Sequence, residues 1–360
     1  MKIALIGEYS SLHNNLAKAL KEKGHSVLLV NDGDYVKNYY RDINIRGNGS
    51  NKYFKLISRI WKEIKLIFII KNYDIVQYIN PSIFSQYAPA KIIFLFIKKN
   101  NKKIFLLAAG DDYYFWNAYR KNKYKYSAHE AYLKKDIKET KSPWEKYRLR
   151  SLTFFLSNRV NGIIPTSIVY QIAYNGHENC KKMINFPIEC KKNNFIESKN
   201  IKKDSIIILH GVQTARQAFK GTDLIDSAIK VILNKYPQKV EYIRVVDMPY
   251  EQYLKKIAEA DIIIDQVYSY EPAMNALISM QMGKLVLGGY EEELKNINNI
   301  DYEPLINITP SVEDIISKLE KIINNPEIIQ QYGENAKKYV KKFHDSNLIA
   351  EEYVTVWKST

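Results

Sequence analysis

The chain is poor in the features that mark several protein classes. Its 360 residues contain two cysteines, Cys180 and Cys190, at a spacing that fits neither a zinc site nor a redox pair. A disulfide scaffold and a cysteine-built metal centre are excluded, and both thiols are expected to be reduced. No apolar run approaches the roughly 18 residues needed to cross a bilayer, and Met1 leads straight into the strand-like KIALIG rather than a signal peptide. The expected address is the cytoplasm. Low-complexity tracts and internal repeats of roughly 20 to 50 residues are absent. Gly7 stands alone where a G-x-G-x-x-G fingerprint would need three glycines.

Acid is scarce in one half only. Cut at residue 195, within the polar stretch ECKKNNFIESKNIKKDS, the first part has 34 Lys and Arg against 15 Asp and Glu, or +19; the remainder has 20 against 24, or −4, and together they give the chain its +15. A surface of one sign attracts anionic partners: nucleic acid, an acidic leaflet or a phosphorylated substrate.

What the sequence does contain is alternation. KIALIG (2–7) ends in Gly7, a helical pattern through Leu16, Ala17 and Leu20 stops at Gly24, and HSVLLVN (25–31) follows as a second strand. This β-α-β unit favours a parallel sheet. YDIVQYIN (73–80), KKIFLLAAG (102–110), VNGIIPTS (160–167) and KKMINF (181–186) read as further strands, with a helix at 86–99. After the polar stretch the pattern restarts with SIIILHG (205–211), VEYIRVV (240–246), ADIIIDQ (260–266) and KLVLGG (284–289), separated by helices at 222–235, 250–259 and 272–282. An α/β chain of two Rossmann-like domains facing across a cleft is the expectation: 1–195 basic, 196–345, and a C-terminal helix at 346–360 crossing back to the first domain. In that helix Asp345 is placed to cap, and Ile349, Tyr353, Val356 and Trp357 share a face.

One segment asks for a ligand. SIIILHGVQTARQAFKG (205–221) passes from an apolar run into a loop with Arg216 and Lys220 four apart, then into a helix. Amide N–H groups at a helix start favour an anion, Arg216 can grip phosphate oxygens in a fork, and Lys220 adds a mobile charge. Solvated loop cations are the plain alternative. A second segment, DQVYSYEPAMNALISMQMGKLVLGG (265–289), turns at Tyr270, Glu271 and Pro272 and places Asn275 and Ala276 near a helix start. Met274, Met280 and Met282 read as core packing.

On these two segments the chain resembles the donor-binding half of GT-B glycosyltransferases, particularly the large retaining family that uses nucleotide sugars. Arg216, Lys220 and Gly221 match the family's R…KG, which holds the diphosphate. Glu271-Pro272, with Met280 and Gly283, matches its EPxG…EAMAxGxPV, which holds sugar and ribose. The second glutamate of that motif is missing, because Ser279 or Ile278 stands there. The resemblance leaves Tyr270 competing with Glu271 for the sugar and places Pro249 and Tyr250 near the base. It implies transfer from a nucleoside diphosphate sugar to an acceptor hydroxyl. No cofactor or metal is required, since Arg216, Lys220 and helix ends stabilise the departing diphosphate.

The first domain is then expected to take the acceptor, a glycan or polyprenyl-linked glycan in bacterial surface polysaccharide or capsule assembly. GEYSSLHNNL (7–16) sets Gly7, Glu8, His13 and Asn14 at the first strand-to-helix turn, where ligands sit in open α/β sheets. His13 is either a base or a helix-surface residue. In AAGDDYYFW (108–116), Asp111 or Asp112 orients or deprotonates the acceptor, with a helix cap as the plain reading. In KYFKLISRIWKEIKLIFIIK (52–71), Lys52, Lys55, Arg59 and Lys62 recur at three- and four-residue spacing opposite Phe54, Ile57, Trp61, Ile64 and Phe68. Such a helix lies peripherally on the anionic inner face of the cytoplasmic membrane or packs on the sheet. YYFWNAYRKNKYKYSAHEAYLKK (113–135) interleaves aromatics with cations, but no standard nucleic-acid motif accompanies it, so acceptor or membrane contact ranks above RNA. The alternatives to a transferase are a non-catalytic nucleotide-sugar or glycan-binding protein, an RNA adaptor and a nucleotide-sugar epimerase.

Overall fold

A computed structural model describes residues 1–34, 37–84, 89–130, 143–190 and 205–360. These divide into two compact units. The first holds residues 1–123, the described part of 139–189, and 346–360; the second holds 124–130, Cys190 and 205–345. Relative to a cut at 195, residues 124–130 and Cys190 therefore change sides. Residues 191–204 of the expected linker and 131–135 of the aromatic-basic stretch lie outside the described residues.

The first unit is built on six parallel strands in the order β3-β2-β1-β4-β5-β6. They are β1 (Lys2–Ile6), β2 (Ser26–Asn31), β3 (Ile43–Asn44), β4 (Ile75–Tyr78), β5 (Lys103–Ala108) and β6 (Gly162–Pro165). Ile3 pairs with Val27 on one side and Ile75 on the other. Ile3, Ala4, Leu5 and Ile6 are all fully buried, as an unbroken apolar run must be when helices cover both faces of a sheet. Helix Leu12–Glu22 packs with Ser346–Ser359, and helix Lys52–Ile69 packs with Ala90–Lys99. Right-handed crossovers from β1 to β2 and from β4 to β5 put those two pairs on opposite faces.

The C-terminal helix joins this unit through Ile349, Ala350, Tyr353 and Trp357, all buried. A polar chain runs beneath it. His13 Nδ1–H donates to the Gly7 carbonyl at 2.7 Å, the Gln77 amide donates to His13 Nε2 at 3.3 Å, and the Trp357 indole N–H donates to Gln77 Oε1 at 3.1 Å. The carbonyl at one end and the indole at the other fix the imidazole tautomer and the amide orientation between them. Burial first, and Asp345 beside it, push the Cys190 thiol up to about 12, so it stays protonated.

KKMINF is not a strand. It follows a bridge between Ile163 and Cys180, and its backbone meets β6 through Lys181 N–H to the Ile163 carbonyl and Ile184 N–H to the Pro165 carbonyl, at 2.8 and 2.9 Å. Pro165 has no N–H to return, which ends the ladder there.

The second unit holds five parallel strands in the order β11-β10-β9-β7-β8. They are β7 (Ile206–Val212), β8 (Val240–Val246), β9 (Ile262–Ile264), β10 (Leu285–Gly288) and β11 (Ile306–Asn307). Ile208, Ile262, Leu285 and Leu287 pack beneath Ile225, Ile229 and Ile232 of one helix and Ile315, Leu319 and Ile322 of another. Each such side chain contributes about 1.5–3 kcal/mol on burial. In both units strand order reverses direction once, between β1 and β4 and between β7 and β9. The carboxyl ends at such a reversal open a crevice where ligands bind in parallel α/β sheets.

Candidate functional site

At the β7/β9 reversal of the second unit, β7 ends at Val212 and the chain makes a 3-10 turn at Thr214–Arg216, then one helical turn at Gln217–Lys220. Gly221 follows with φ +68°, and a Cβ there would lie 2.2 Å from Val267 Cγ2. Only glycine fits both restrictions, so Gly221 sets the break before helix Thr222–Lys235. The two cations thus precede the long helix instead of opening it. Thr214 anchors the turn by donating from its N–H and hydroxyl to Asp247, at 3.1 and 2.6 Å.

The cations differ in their surroundings. Arg216 is exposed, with no side-chain partner among the described residues. Lys220 is mostly covered, and its ammonium lies 3.2 Å from Asp265 Oδ1, whose carboxylate is 2% exposed at the end of β9. Asn275 Nδ2 donates to the same oxygen at 3.0 Å. Asp265, absent from the sequence-based candidates, joins the two segments and aims the ammonium while leaving its other protons for a ligand. Its position two residues before Val267 in an apolar strand run gave no sign of that pairing.

His210 is a second residue that pattern reading missed. It is fully buried near the end of β7 and its Nδ1 lies 3.0 Å from the Tyr242 hydroxyl, which donates to Asp226 at 3.3 Å. Nδ1 therefore carries the proton, and Nε2 is a buried acceptor with no partner among the described residues. Burial pushes this imidazole down to about 4.

Beyond β9, Gly289 allows the turn to close: a Cβ there would lie 1.9 Å from the Ser269 carbonyl oxygen. The Tyr270 ring is buried against Tyr124 and Tyr126, and its hydroxyl accepts from the Lys125 N–H. Glu291 clasps the same segment, accepting from the Tyr126 hydroxyl at 2.6 Å, Asn307 at 2.7 Å and Lys125 at 3.3 Å. Burial works against its charge, but those donors prevail and hold Glu291 below the usual carboxylate range. With Tyr270 committed to this packing, Glu271 is the carboxylate at the turn. Pro272 and Ala276 are buried, and helix Met274–Gln281 begins just beyond. Ser279 is fully buried and donates to the Asn275 carbonyl at 2.9 Å, so nothing acidic replaces the missing glutamate there. Pro249 and Tyr250 are exposed at the start of helix Tyr250–Glu259.

In the first unit, Gly7, Glu8, His13 and Asn14 gather at the β1/β4 reversal. Glu8 is buried and accepts from the N–H groups of His13 and Asn14, at 3.3 and 2.9 Å, and from the Asn14 amide. Burial outweighs those bonds and raises Glu8 to about 7. His13 departs from both expected roles. It is neither a surface residue nor an exposed base; it is fully buried with both ring nitrogens engaged, and burial lowers it to about 4.

Asp111 and Asp112 separate in the same way. Asp112 is fully buried, caps helix Tyr113–Arg120 by accepting from Phe115 N–H at 2.9 Å, and accepts the Tyr174 hydroxyl on its other oxygen. Burial raises it to about 6. Asp111, one residue outside the cap, is half-buried. In the aromatic-basic stretch Phe115, Trp116, Tyr124 and Tyr126 are buried, so this run offers no open ladder for stacked bases.

No protein-family model matches the sequence, and no curated protein matches it. Solved structures match its fold. Sucrose-phosphate synthase from Thermosynechococcus elongatus superposes with a TM-score of 0.65 at 15% identity, over 100% of this chain and 98% of that one. A glycosyltransferase from Rickettsia africae gives 0.60 at 16%, covering 99% and 97%. Anabaena HepE in complex with UDP-glucose gives 0.61 at 12%, covering 100% of both chains. At these identities the likeness establishes the fold: α/β, with two Rossmann-like parallel sheets as in GT-B proteins.

Proposed function

We propose that the chain is a glycosyltransferase that moves a sugar from a nucleoside diphosphate sugar to an acceptor hydroxyl. The observation that carries this reading is the cluster at the β7/β9 reversal. Lys220 is held by buried Asp265, which Asn275 braces, Gly221 is forced, and exposed Arg216 lies four residues away. The ammonium and guanidinium meet the diphosphate, and Glu271 meets the sugar. Charge that grows on the leaving diphosphate while the anomeric carbon becomes cation-like is balanced by fixed cations prepared before the reaction. No divalent ion is required for that balance. Tyr250 and Pro249, exposed at the neighbouring helix start, take the base. With Ser279 in place of a ribose carboxylate, affinity rests on phosphates and sugar more than on ribose.

The acceptor belongs to the first unit. Asp111, not the capping Asp112, orients the acceptor hydroxyl, beside the Gly7 to Asn14 turn. A lipid-linked glycan at the inner membrane face, assembled into surface polysaccharide with retention at the anomeric carbon, suits the basic charge of this half. The test is a melting-temperature screen with UDP, GDP and their sugars, followed by transfer assays with the nucleotide that stabilises. A ligand that binds only the folded chain at about 100 Kd adds about 2.7 kcal/mol. If no nucleotide raises the melting point, the reading fails. Binding without transfer or hydrolysis would favour a non-catalytic binder, which the ribose position occupied by Ser279 also fits.

A further inference from the structure

Helix Lys52–Ile69 is built inside out for a helix of a parallel α/β sheet. Of its 18 residues only Glu63 and Leu66 are buried. Phe54, Ile57, Trp61 and Phe68, a row at helical spacing, are 59%, 52%, 61% and 68% exposed, and Tyr53 and Ile69 flank it. The polar pair faces inward: Arg59 is 2.8 Å from Glu63 and 3.0 Å from Asp32, and it donates to the Ile83 carbonyl at 3.0 Å. The row that sequence periodicity would seat on the sheet is therefore turned to the outside. The neighbouring helix Ala90–Lys99 repeats the arrangement, with Ile93, Phe94 and Ile97 buried but Ile92, Leu95 and Phe96 about half exposed.

We infer that the paired helices Lys52–Ile69 and Ala90–Lys99 form an interfacial docking face for an anionic lipid bilayer, inserting Phe54, Ile57, Trp61 and Phe68 below the headgroups. Charge selects this occupant. Lys52, Lys55, Lys62, Lys65, Lys71, Lys91, Lys98 and Lys99 lie on or beside the two helices, whereas their one acid, Glu63, is buried. Lys62, Lys91 and Lys98 are hydrogen-bonded within the protein, so an anionic surface draws on the other five ammonium groups and meets no exposed carboxylate on these helices. A second copy of the same face would instead oppose cation to cation, which disfavours self-association. The side chains suit the depth: aromatic rings and long lysine stems partition to the boundary between headgroup and acyl chain. No helix among the described residues is long and apolar enough to span, so the face lies on the membrane. Vesicle binding needs no turnover, so the docking face holds or fails separately from the transferase reading.

The experiment uses the full chain and vesicles of phosphatidylglycerol, with phosphatidylcholine vesicles as the neutral comparison. Cosedimentation is expected with the anionic vesicles, and bromine-labelled acyl chains are expected to quench Trp61. Trp61→Phe should keep binding and lose that quenching, which identifies the reporter among four tryptophans. Replacing Phe54, Trp61 and Phe68 together by serine should weaken binding roughly tenfold per side chain, and Lys52→Gln with Lys55→Gln and Lys65→Gln should weaken it further at low salt. All six positions are exposed, so circular dichroism and the melting point are expected to remain those of the parent chain. Binding that is unchanged in the serine variant, or binding with no quenching, would overturn insertion. So would a dimer in sedimentation velocity that the serine variant abolishes while vesicles go unbound.

Discussion

Single residues at the β7/β9 reversal carry different burdens, and substitution should separate them. Arg216 is exposed and unpartnered among the described residues, so Arg216→Ala is expected to lower turnover by about 10²–10³ and leave unfolding free energy within about 0.5 kcal/mol. Lys220→Ala should lose similar turnover and also cost on the order of 3 kcal/mol, because it strands the Asp265 carboxylate in the interior. Steady-state kinetics beside urea titrations check both. In the first unit, His13 takes up a proton below about 6.5 when unfolded but stays neutral down to about 4 when folded. The unfolded chain gains that proton first as pH falls, so His13 withdraws on the order of 3 kcal/mol between those values. His13→Asn removes this term, and its stability deficit should shrink by that amount from pH 7 to pH 4. Glu8 has the opposite sign. Its folded value near 7 lies above 4.5, so the stability it lends at low pH is lost as pH rises through 7. Glu8→Gln should therefore gain on the parent chain between pH 4 and pH 8.

At the scale of elements, two features join local geometry to the fold. The break at Gly221 ends one helical turn and begins the long helix behind it, and Gly221→Ala must both hold φ +68° and push Val267 aside. A loss of more than about 2 kcal/mol is expected, with reduced nucleotide affinity in calorimetry because Lys220 moves with the break. The C-terminal helix joins β4 through Trp357 and Gln77. Trp357→Phe leaves Gln77 Oε1 without its donor and opens a small cavity, a loss of about 2–4 kcal/mol. The urea midpoint should fall with an unchanged slope. Alternation in the sequence was enough to locate most of these elements: the helix at 222–235, the strand at 240–246 and the helix at 250–259 match their ranges residue for residue. KKMINF misled because an apolar segment beside Pro165 has the composition of a strand without a partner able to continue the ladder.

For the whole molecule, function rests on charges of opposite purpose. At the β7/β9 reversal one cation, Lys220, is fixed by Asp265 and a second, Arg216, is exposed, whereas the lysines of the docking face are many and spread over two helices. If Arg216 and Lys220 meet the diphosphate as proposed, transfer is expected to survive chelation by EDTA; loss of turnover restored by added magnesium would assign that charge to a metal instead.

The sequence by itself determined the two parallel sheets and the approximate place of Arg216, Lys220 and Glu271, because apolar periodicity and loop chemistry are local. Only the tertiary structure decided which side chains remain for a ligand. It buried His13 in a polar chain, gave Asp112 to a helix cap, packed Tyr270 under residues 124–126, brought Asp265 to Lys220 and turned the Phe54 to Phe68 row outward. The physical reason is that a side chain's availability depends on partners far away in the chain, and an amphipathic pattern fixes two faces of a helix without saying which one meets the sheet.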